Sequence, residues 1–530
     1  MSDPISEAET LKAEGNALFT QKKYKDAACK YTAAIELCPQ NAVFWSNRAA
    51  CYLNLKRYSD AATDAKHATE LDASFARAWA RLATAKQHLG SWIQSIESWE
   101  KAISCLPNEN RSPAEEKQAK EYEDMLAKAR RALESVENHA KNLGKDNVVN
   151  NSEGGKMPWE RATRFIEEVI AQGGEDGQFS SAWQILGAYE SWEEAMERMN
   201  EIKKMETNGQ VALTGRVGAI EQFSNAIIYD SRVFHIEDSQ FMVKYNDQVK
   251  YEAFVRKAWT EGGPELILRE AQERLSKSGW DSVRPALSVT GRAYVLRAFL
   301  TAGLMEDSAA AVSFYNDAIG ILEGGKALWS NVTDEMRGAI FAPTFIRGIK
   351  GLRLESYMTA YKQGTKGFTV KKLKDLAVEL EEDIRGNPPR ADQMFGPGFI
   401  LAFYNAPLAQ ALAMRALYER ELAEKGEEPK EVKQHLARAG ELYAEAASHL
   451  APDDEVYAWF LNLALGVLWQ GGAALRVTLP LMEKVKSSVP KMKRIWEHSQ
   501  LALGGRDQVL QKTLRFEEDI QRPWQKGRSP

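Results

Sequence analysis

Lys12 and Asn16 lie in the stretch KAEGNALF, residues 12–19. If that stretch is a helix, a spacing of four puts them side by side. Lysine supplies a positive charge and asparagine an oriented N–H. The group that takes both is a carboxylate, held by charge-assisted hydrogen bonds. That is binding chemistry, and no catalytic pattern competes with it. The seven histidines (His67, His88, His139, His235, His435, His449 and His498) are scattered, with no H-E-x-x-H or other metal-ligand spacing. There is no G-x-x-x-x-G-K-[ST] phosphate loop and no G-x-S-x-G elbow. GRVGAIEQF lacks the glycine spacing of a dinucleotide site and a preceding strand. The expectation is a binding protein, not an enzyme, with no cofactor and no metal.

Composition narrows the partners. The chain has 530 residues, 44% hydrophobic and 27% charged, as in globular proteins. It is too long for one ordinary core, so several domains or an extended solenoid are expected. A formal net charge of −5 gives no general attraction to nucleic acid or to anionic membranes. Any basic binding surface must be local.

MSDPISEAETLKAEG has no apolar core of the kind a signal peptide needs, and QKGRSP carries no lipidation signal. The four cysteines, Cys29, Cys38, Cys51 and Cys105, form no C-x-x-C pair. Both points lead to an expectation of reduced thiols and a cytoplasmic location. The uncharged run VYAWFLNLALGVLWQGGAAL, from Val456 to Leu475, has the length of a membrane span. Asn462, Gln470 and the Gly471-Gly472 pair interrupt it, and no basic cluster flanks it. A buried helix is the expectation there.

What must position Lys12 and Asn16 emerges when the chain is laid out in blocks of 34. The block from Ala8 has Leu11, Gly15, Leu18, Ala27, Tyr31, Ala34 and Pro39. The block from Ala42 has Trp45, Ala49, Tyr52, Ala61, Ala65 and Ala68. The block from Ala76 has Trp79, Leu82, Ala83, Ser95, Trp99, Ala102 and Pro107. Small residues let two antiparallel helices approach, large ones fill the remaining gap, and proline stops the second helix. This spacing resembles the tetratricopeptide repeat over residues 8–109, which implies three stacked helix pairs curving around a concave groove. A polar helix from Pro113 to Asn142 has the character of a capping helix, and LGKDNVVNNSEGGKMP that of a linker.

The resemblance goes further. In this repeat family positions 2, 5, 6, 9, 12 and 13 of each block face the groove. Lys12 and Asn16 fall at positions 5 and 9 of block one, Asn47 at position 6 of block two, and Arg77 and Arg81 at positions 2 and 6 of block three. This set is similar to the two-carboxylate clamp of chaperone-adaptor repeat domains, most of all the first repeat domain of Hop/Sti-type stress-inducible adaptors. Arg77 departs from it, since the family usually has lysine there; the charge is kept while the donor shape changes. With 69 basic residues in 530, three specified basic positions coincide by chance on the order of 0.002, so a merely basic surface is a poor account. The resemblance implies partners: the Glu-Glu-Val-Asp C-termini of the 90-kDa and 70-kDa heat-shock chaperones. It also implies that Phe19, Ala50, Leu53 and Asn54 wall the groove around the preceding valine.

Residues 158–530 carry no comparable signature. WERATRFIEEVI, SWEEAMERMNEIKKM and VKYEAFVRKAW have helical periodicity, and SRVFHIED is the one short strand candidate. Ala311, Tyr315, Ala318 and Ile319 repeat the spacing of Ala27, Tyr31, Ala34 and Ile35, as do Ala439, Tyr443 and Ala446. Trp159, Trp183, Trp192 and the run FGPGFILAFYNAPLAQAL are expected to be helix packing. The expected fold class is all-α: a three-repeat superhelix with its cap over residues 1–142, a linker at 143–157, and a larger helical, solenoid-like domain over 158–530.

Three repeats and a cap can bury a shared core without help. Residues 1–142 alone should therefore give a helical circular dichroism spectrum and a cooperative melt. A broad, non-cooperative melt of that fragment would contradict the boundary.

Overall fold

The structure, a computed structural model, describes residues 3–107, 111–146, 155–171, 179–207, 210–236, 240–389 and 394–525. It groups the chain into two compact units: Met1–Asn147 with Val249–Phe341, and Val148–Gln248 with Ala342–Pro530. Helix dominates both, as expected for an all-α protein.

The first unit begins with α1 (Pro4–Thr20), α2 (Tyr24–Leu37), α3 (Ala42–Asn54), α4 (Tyr58–Leu71), α5 (Ala76–His88), α6 (Trp92–Ser104) and α7 (Pro113–Asp146). Each packs on the next, so α1/α2, α3/α4 and α5/α6 are three stacked hairpins closed by α7. The small positions of the repeat are where the helices touch. Ala8, Ala27, Ala34, Ala49, Ala61, Ala65, Ala68, Ala83 and Ala102 are fully buried, as is Ser95. Tyr31, Tyr52 and Trp99 fill the gaps between them. At the end of the stack Trp99, Ala102 and Tyr122 of α7 share one cluster, so α7 caps the last repeat. A buried ion pair ties the second repeat together: Arg48 donates to Asp64 through Nε (2.7 Å) and Nη2 (2.8 Å), and through Nη1 to Thr32 (2.9 Å).

Further along the chain come α8 (Pro158–Ala171), α9 (Ser181–Asn200), β1 (Lys203–Thr207), β2 (Gln210–Thr214), α10 (Ala219–Tyr229), α11 (Phe241–Arg256), α12 (Pro264–Leu304) and α13 (Ser308–Leu328). Helix α12 is interrupted at Gly279, whose φ of 69° suits glycine. Here the expectation of one helical domain over 158–530 gives way: residues 249–341 belong with the repeats. The tie is specific. Ser59 donates to Asp317 of α13 at 2.5 Å, Tyr52 to Glu265 at 2.5 Å, and Arg57 bridges Asp60 (2.7 Å) and Glu265 (2.8 Å). Gly263 lies so close that a Cβ on it would sit 1.8 Å from Asp60 Oδ1. The cap helix runs four residues past its expected end, to Asp146, and residues 147–154 of the expected linker lie outside the described residues.

The second unit packs α8 on α9 and α9 on α10. The first unit ends with α14 (Asp334–Arg337), and the later helices of the second are α15 (Pro343–Lys362), α16 (Val370–Gly386), α17 (Pro397–Ile400), α18 (Ala406–Lys425), α19 (Pro429–Ser448), α20 (Glu455–Gln470), α21 (Leu475–Trp496), α22 (Gln500–Leu503) and α23 (Arg506–Gln525). The chain α16, α18, α19, α20, α21 packs in sequence order, as a helical solenoid does. Ala439, Tyr443 and Ala446 of α19 are buried as their repeat-like spacing requires. The uncharged run is α20, a turn, and the start of α21; Asn462 accepts from Thr513 of α23 at 2.5 Å. No helix of the described residues is long and apolar enough to cross a membrane. Trp159 and Trp192 are buried, Trp159 stacked on His235 and Trp192 tilted against it, so they are packing.

The strand expectation is corrected. SRVFHIED starts as a 3₁₀ turn at Ser231–Val233, fixed by Asp230 capping the Arg232 amide. The strands of the described residues are instead β1 and β2, an antiparallel pair with Lys203 opposite Thr214 and Thr207 opposite Gln210. The Asn208-Gly209 dipeptide between them is a strong hairpin signal.

Asp317 generates a pH prediction. Burial, and then the neighbouring Asp60, push its carboxyl up to about 8, against the pull of the Ser59 hydroxyl and of Arg57 and Arg297. A carboxyl whose folded pKa lies above the unfolded value, near 4, stabilises the fold most at low pH and loses that contribution as pH rises through 8. Thermal melts of the full chain should fall in midpoint between pH 5 and pH 9, and Asp317→Asn should flatten that slope. An unchanged slope in Asp317→Asn would contradict the assignment.

Candidate groove site

Helices α1, α3 and α5 each lead a repeat, and they carry the five residues singled out by spacing: Lys12 and Asn16 on α1, Asn47 on α3, Arg77 and Arg81 on α5. What lets α1 present Asn16 is Gly15, buried where α1 crosses α2. A Cβ there would meet the Tyr31 ring at 2.8 Å. The close approach brings the Tyr31 hydroxyl to Asn16, donating to its Oδ1 at 2.7 Å. Burial, with a smaller push from Cys51, raises the Tyr31 hydroxyl to about 12, so it stays protonated and able to donate.

On the facing helices Arg81 Nη1 donates to Ser46 Oγ at 2.5 Å and, more weakly, to Asn47 Oδ1 at 3.4 Å. Guanidinium has only donors, so the amide oxygen of Asn47 must face it. The Asn47 NH₂ takes no part in that bond.

The electrostatics of Arg81 are unusual for an arginine. Burial pulls its pKa down to about 10, and the charge of Arg77 adds to the fall. Among the described residues no carboxylate forms an ion pair with Arg77 or Arg81. The opposing contributions come from Tyr122, Tyr31 and Cys51, all neutral at pH 7. Arg81, largely shielded from water, and the exposed Arg77 thus lie near each other with no carboxylate paired to either among the described residues.

Four of the five residues are linked: Asn16 through Tyr31, and Asn47, Arg77 and Arg81 through one another. Lys12 is the exception. Its ammonium pairs with Glu9 one turn earlier on the same helix. Of the wall residues, Phe19, Ala50 and Leu53 are half-buried, and Phe19 sets its ring edge-on to Tyr24, centroids 5.2 Å apart. Asn54 is exposed, with its Nδ2 donating back to Ala50 O at 2.8 Å. Spacing alone missed Ser46, Tyr31 and Tyr122 as the layer behind the site. Tyr31 reads as gap filler from its place in the repeat, and only its hydroxyl hints at more.

Residues 30–62 match the tetratricopeptide repeat family. The small glutamine-rich tetratricopeptide repeat-containing protein 2 of Saccharomyces cerevisiae is 34% identical over 149 residues, 28% of this chain and 42% of that protein. The heat shock protein sti1 homolog of Schizosaccharomyces pombe is 42% identical over 96 residues, 18% of this chain and 16% of that one. Among solved structures, the first TPR of Spaghetti (RPAP3) bound to the HSP90 peptide SRMEEVD is 28% identical, with a TM-score of 0.21, over 23% of this chain and 95% of that one. This chain spans less than half the length of the curated relatives it matches. The N-terminal part is a tetratricopeptide-repeat domain that resembles those of Sgt2- and Sti1-type co-chaperones.

Gly15→Ala tests the support of the site. The added methyl gains helix propensity worth about 1 kcal/mol, but overpacking against the Tyr31 ring costs typically 1–3 kcal/mol. The variant should melt at a lower temperature than the parent. A higher melting temperature would show that Tyr31 moves aside freely.

Proposed function

We propose that the repeat domain binds the C-terminal Glu-Glu-Val-Asp tails of 90-kDa and 70-kDa heat-shock chaperones, and that the protein is a cytoplasmic co-chaperone adaptor without an enzymatic role of its own. One observation carries this reading: Arg81 is largely shielded from water beside the exposed Arg77, and among the described residues neither pairs with a carboxylate. Burying a charge is costly unless it is paired. A groove that keeps Arg81 largely out of water without a carboxylate partner suits an anion arriving from outside.

A C-terminal aspartate fits the inventory. It brings a main-chain and a side-chain carboxylate, and needs several donors at fixed positions. Lys12 and Asn16 take the terminal carboxylate, while Arg77 and Arg81 supply the remaining charge. Asn47 donates the NH₂ that its bond from Arg81 leaves outward, adding no repulsion between cations. Phe19, Ala50, Leu53 and Asn54 receive the penultimate valine. Capture of a chain terminus is a recurring peptide-binding mode. The kinship to an Sgt2-type protein and to a Sti1-type heat-shock protein supports the choice of partner.

The test is calorimetric titration of the full chain with a peptide ending in Glu-Glu-Val-Asp. Affinity should be about micromolar, as for a short ligand with few contacts. Lys12→Ala and Arg81→Ala should each cost on the order of 2 kcal/mol, or about thirtyfold, because a carboxylate is left underpaired. Arg77→Lys should bind nearly as well as the parent, and affinity should fall with added salt. If the peptide amidated at its terminus binds as tightly as the free acid, the groove recognises acidity in general and the proposal fails.

A further inference from the structure

The groove site borders a side chain from outside the repeats. Tyr122 of the capping helix α7 is 8% exposed and lies in one apolar cluster with Ala80 and Ala83 of α5 and Trp99 of α6. Its ring meets that of Trp99 at a tilt, centroids 5.4 Å apart. Ala80 directly precedes Arg81 and follows Arg77 by three residues, so the part of α5 that packs with Tyr122 borders both arginines. The positive charges of Arg77 and Arg81 act on the Tyr122 hydroxyl, and it acts in turn on Arg81.

That hydroxyl has a donor to spare. A phenol oxygen accepts hydrogen bonds and has one O–H to give. Gln118, one turn earlier on α7, donates through Nε2 to Tyr122 Oη at 2.6 Å. The bond occupies an acceptor position of the oxygen and leaves the O–H to point elsewhere. Among the described residues no group accepts it. Burial raises the hydroxyl above its ordinary pKa while Gln118, Arg77 and Arg81 pull the other way, so it is protonated at neutral pH. A largely buried donor without an acceptor is costly. This one lies near two cations that also have no carboxylate partner among the described residues. A carboxylate has two oxygens and lone pairs enough for all three.

We propose that Tyr122 is a further carboxylate-binding residue of the groove, donating its hydroxyl to the side-chain carboxylate of the ligand's terminal aspartate beside Arg77 and Arg81. This rests on the chaperone-tail reading and deepens it. Gln118 is the positioning residue, because its N–H fixes which side of the oxygen is left for the O–H. The residues singled out by spacing all sit on α1, α3 and α5, whereas this donor comes from the helix that ends the stack. The capping helix therefore belongs to the binding site as well as to the fold. A neutral donor adds no repulsion to two neighbouring arginines, as a further cation would. It also favours aspartate over asparagine at the ligand's end, since an amide oxygen accepts more weakly than a carboxylate.

The experiment titrates the full chain calorimetrically with two free-acid peptides, one ending in Glu-Glu-Val-Asp and one in Glu-Glu-Val-Asn. Tyr122→Phe removes the hydroxyl and keeps the ring against Trp99. It should weaken the aspartate peptide about tenfold, as for a lost hydrogen bond to a charged group, and the asparagine peptide at most about threefold. Undiminished binding of the aspartate peptide overturns the proposal. So do equal losses with both peptides, which would leave Tyr122 a structural role alone. If Tyr122→Phe does not fold, Gln118→Met takes its place, since it frees the hydroxyl to rotate. That variant should weaken the aspartate peptide severalfold and the asparagine peptide less, and equal losses or none overturn the proposal again. A parent protein that binds neither peptide overturns the chaperone-tail reading and this proposal with it. A parent that binds, with variants that do not discriminate, overturns this proposal alone.

Discussion

The groove of the repeat domain depends on positive charge held out of water without a matching negative one. Arg81 is the centre of this arrangement, largely shielded from water and close to the exposed Arg77, and depressed in pKa for both reasons. Most buried cations in this protein are treated differently. Arg48 has Asp64 in a two-pronged bond, and in the second unit Arg232 has Asp230 and Asp454 as well as the face of Trp496. Arg506, fully buried, has Glu455 at 2.7 Å. Against that background Arg81 stands apart, with a serine hydroxyl and an amide oxygen for partners.

The surrounding structure keeps that charge in place. Small residues bring successive helices close, which stacks the leading helix of each repeat beside the next. Gly15 admits the Tyr31 ring, the Tyr31 hydroxyl steadies Asn16, and α7 closes the stack with Tyr122 near the two arginines. Across the repeat from these residues the second repeat meets α12 and α13 through carboxylates, Asp60, Glu265 and Asp317, with Arg57 as the cation among them. Arg77 and Arg81 thus have no carboxylate partner among the described residues, whereas Asp60, Glu265 and Asp317 gather near Arg57.

Much of this could be read from the chain. A 34-residue spacing of small and large residues is a direct consequence of helices packing at close range, so the repeats and the helix that packs on the last of them were legible. The charge of Lys12, Arg77 and Arg81 was legible too, but their environment was not. Nothing in one sequence says that Lys12 would be engaged by Glu9, or that Tyr31 would bond Asn16. The assignment of residues 249–341 to the first unit was also hidden. It rests on contacts such as Ser59 to Asp317, 258 residues apart, between side chains whose types give no long-range signal. The hairpin β1–β2 was a different kind of miss, since Asn208-Gly209 stood in plain view beside alternating residues and the helical pattern around it took precedence.

The central claim is that the groove's surplus charge is complemented by the last residue of a partner chain. The most direct measurement is a double-mutant cycle on the full-length protein, with Arg81→Met as one change. The other change removes both negative charges of the peptide's final residue, turning a terminal aspartate acid into an asparagine amide. Groups in contact couple by 0.5–3 kcal/mol, while distant ones add within about 0.5 kcal/mol. The account predicts that the uncharged peptide barely senses the loss of Arg81, giving a coupling of at least about 1 kcal/mol. Losses that simply add would show that Arg81 and the terminal charges do not meet, and would contradict it.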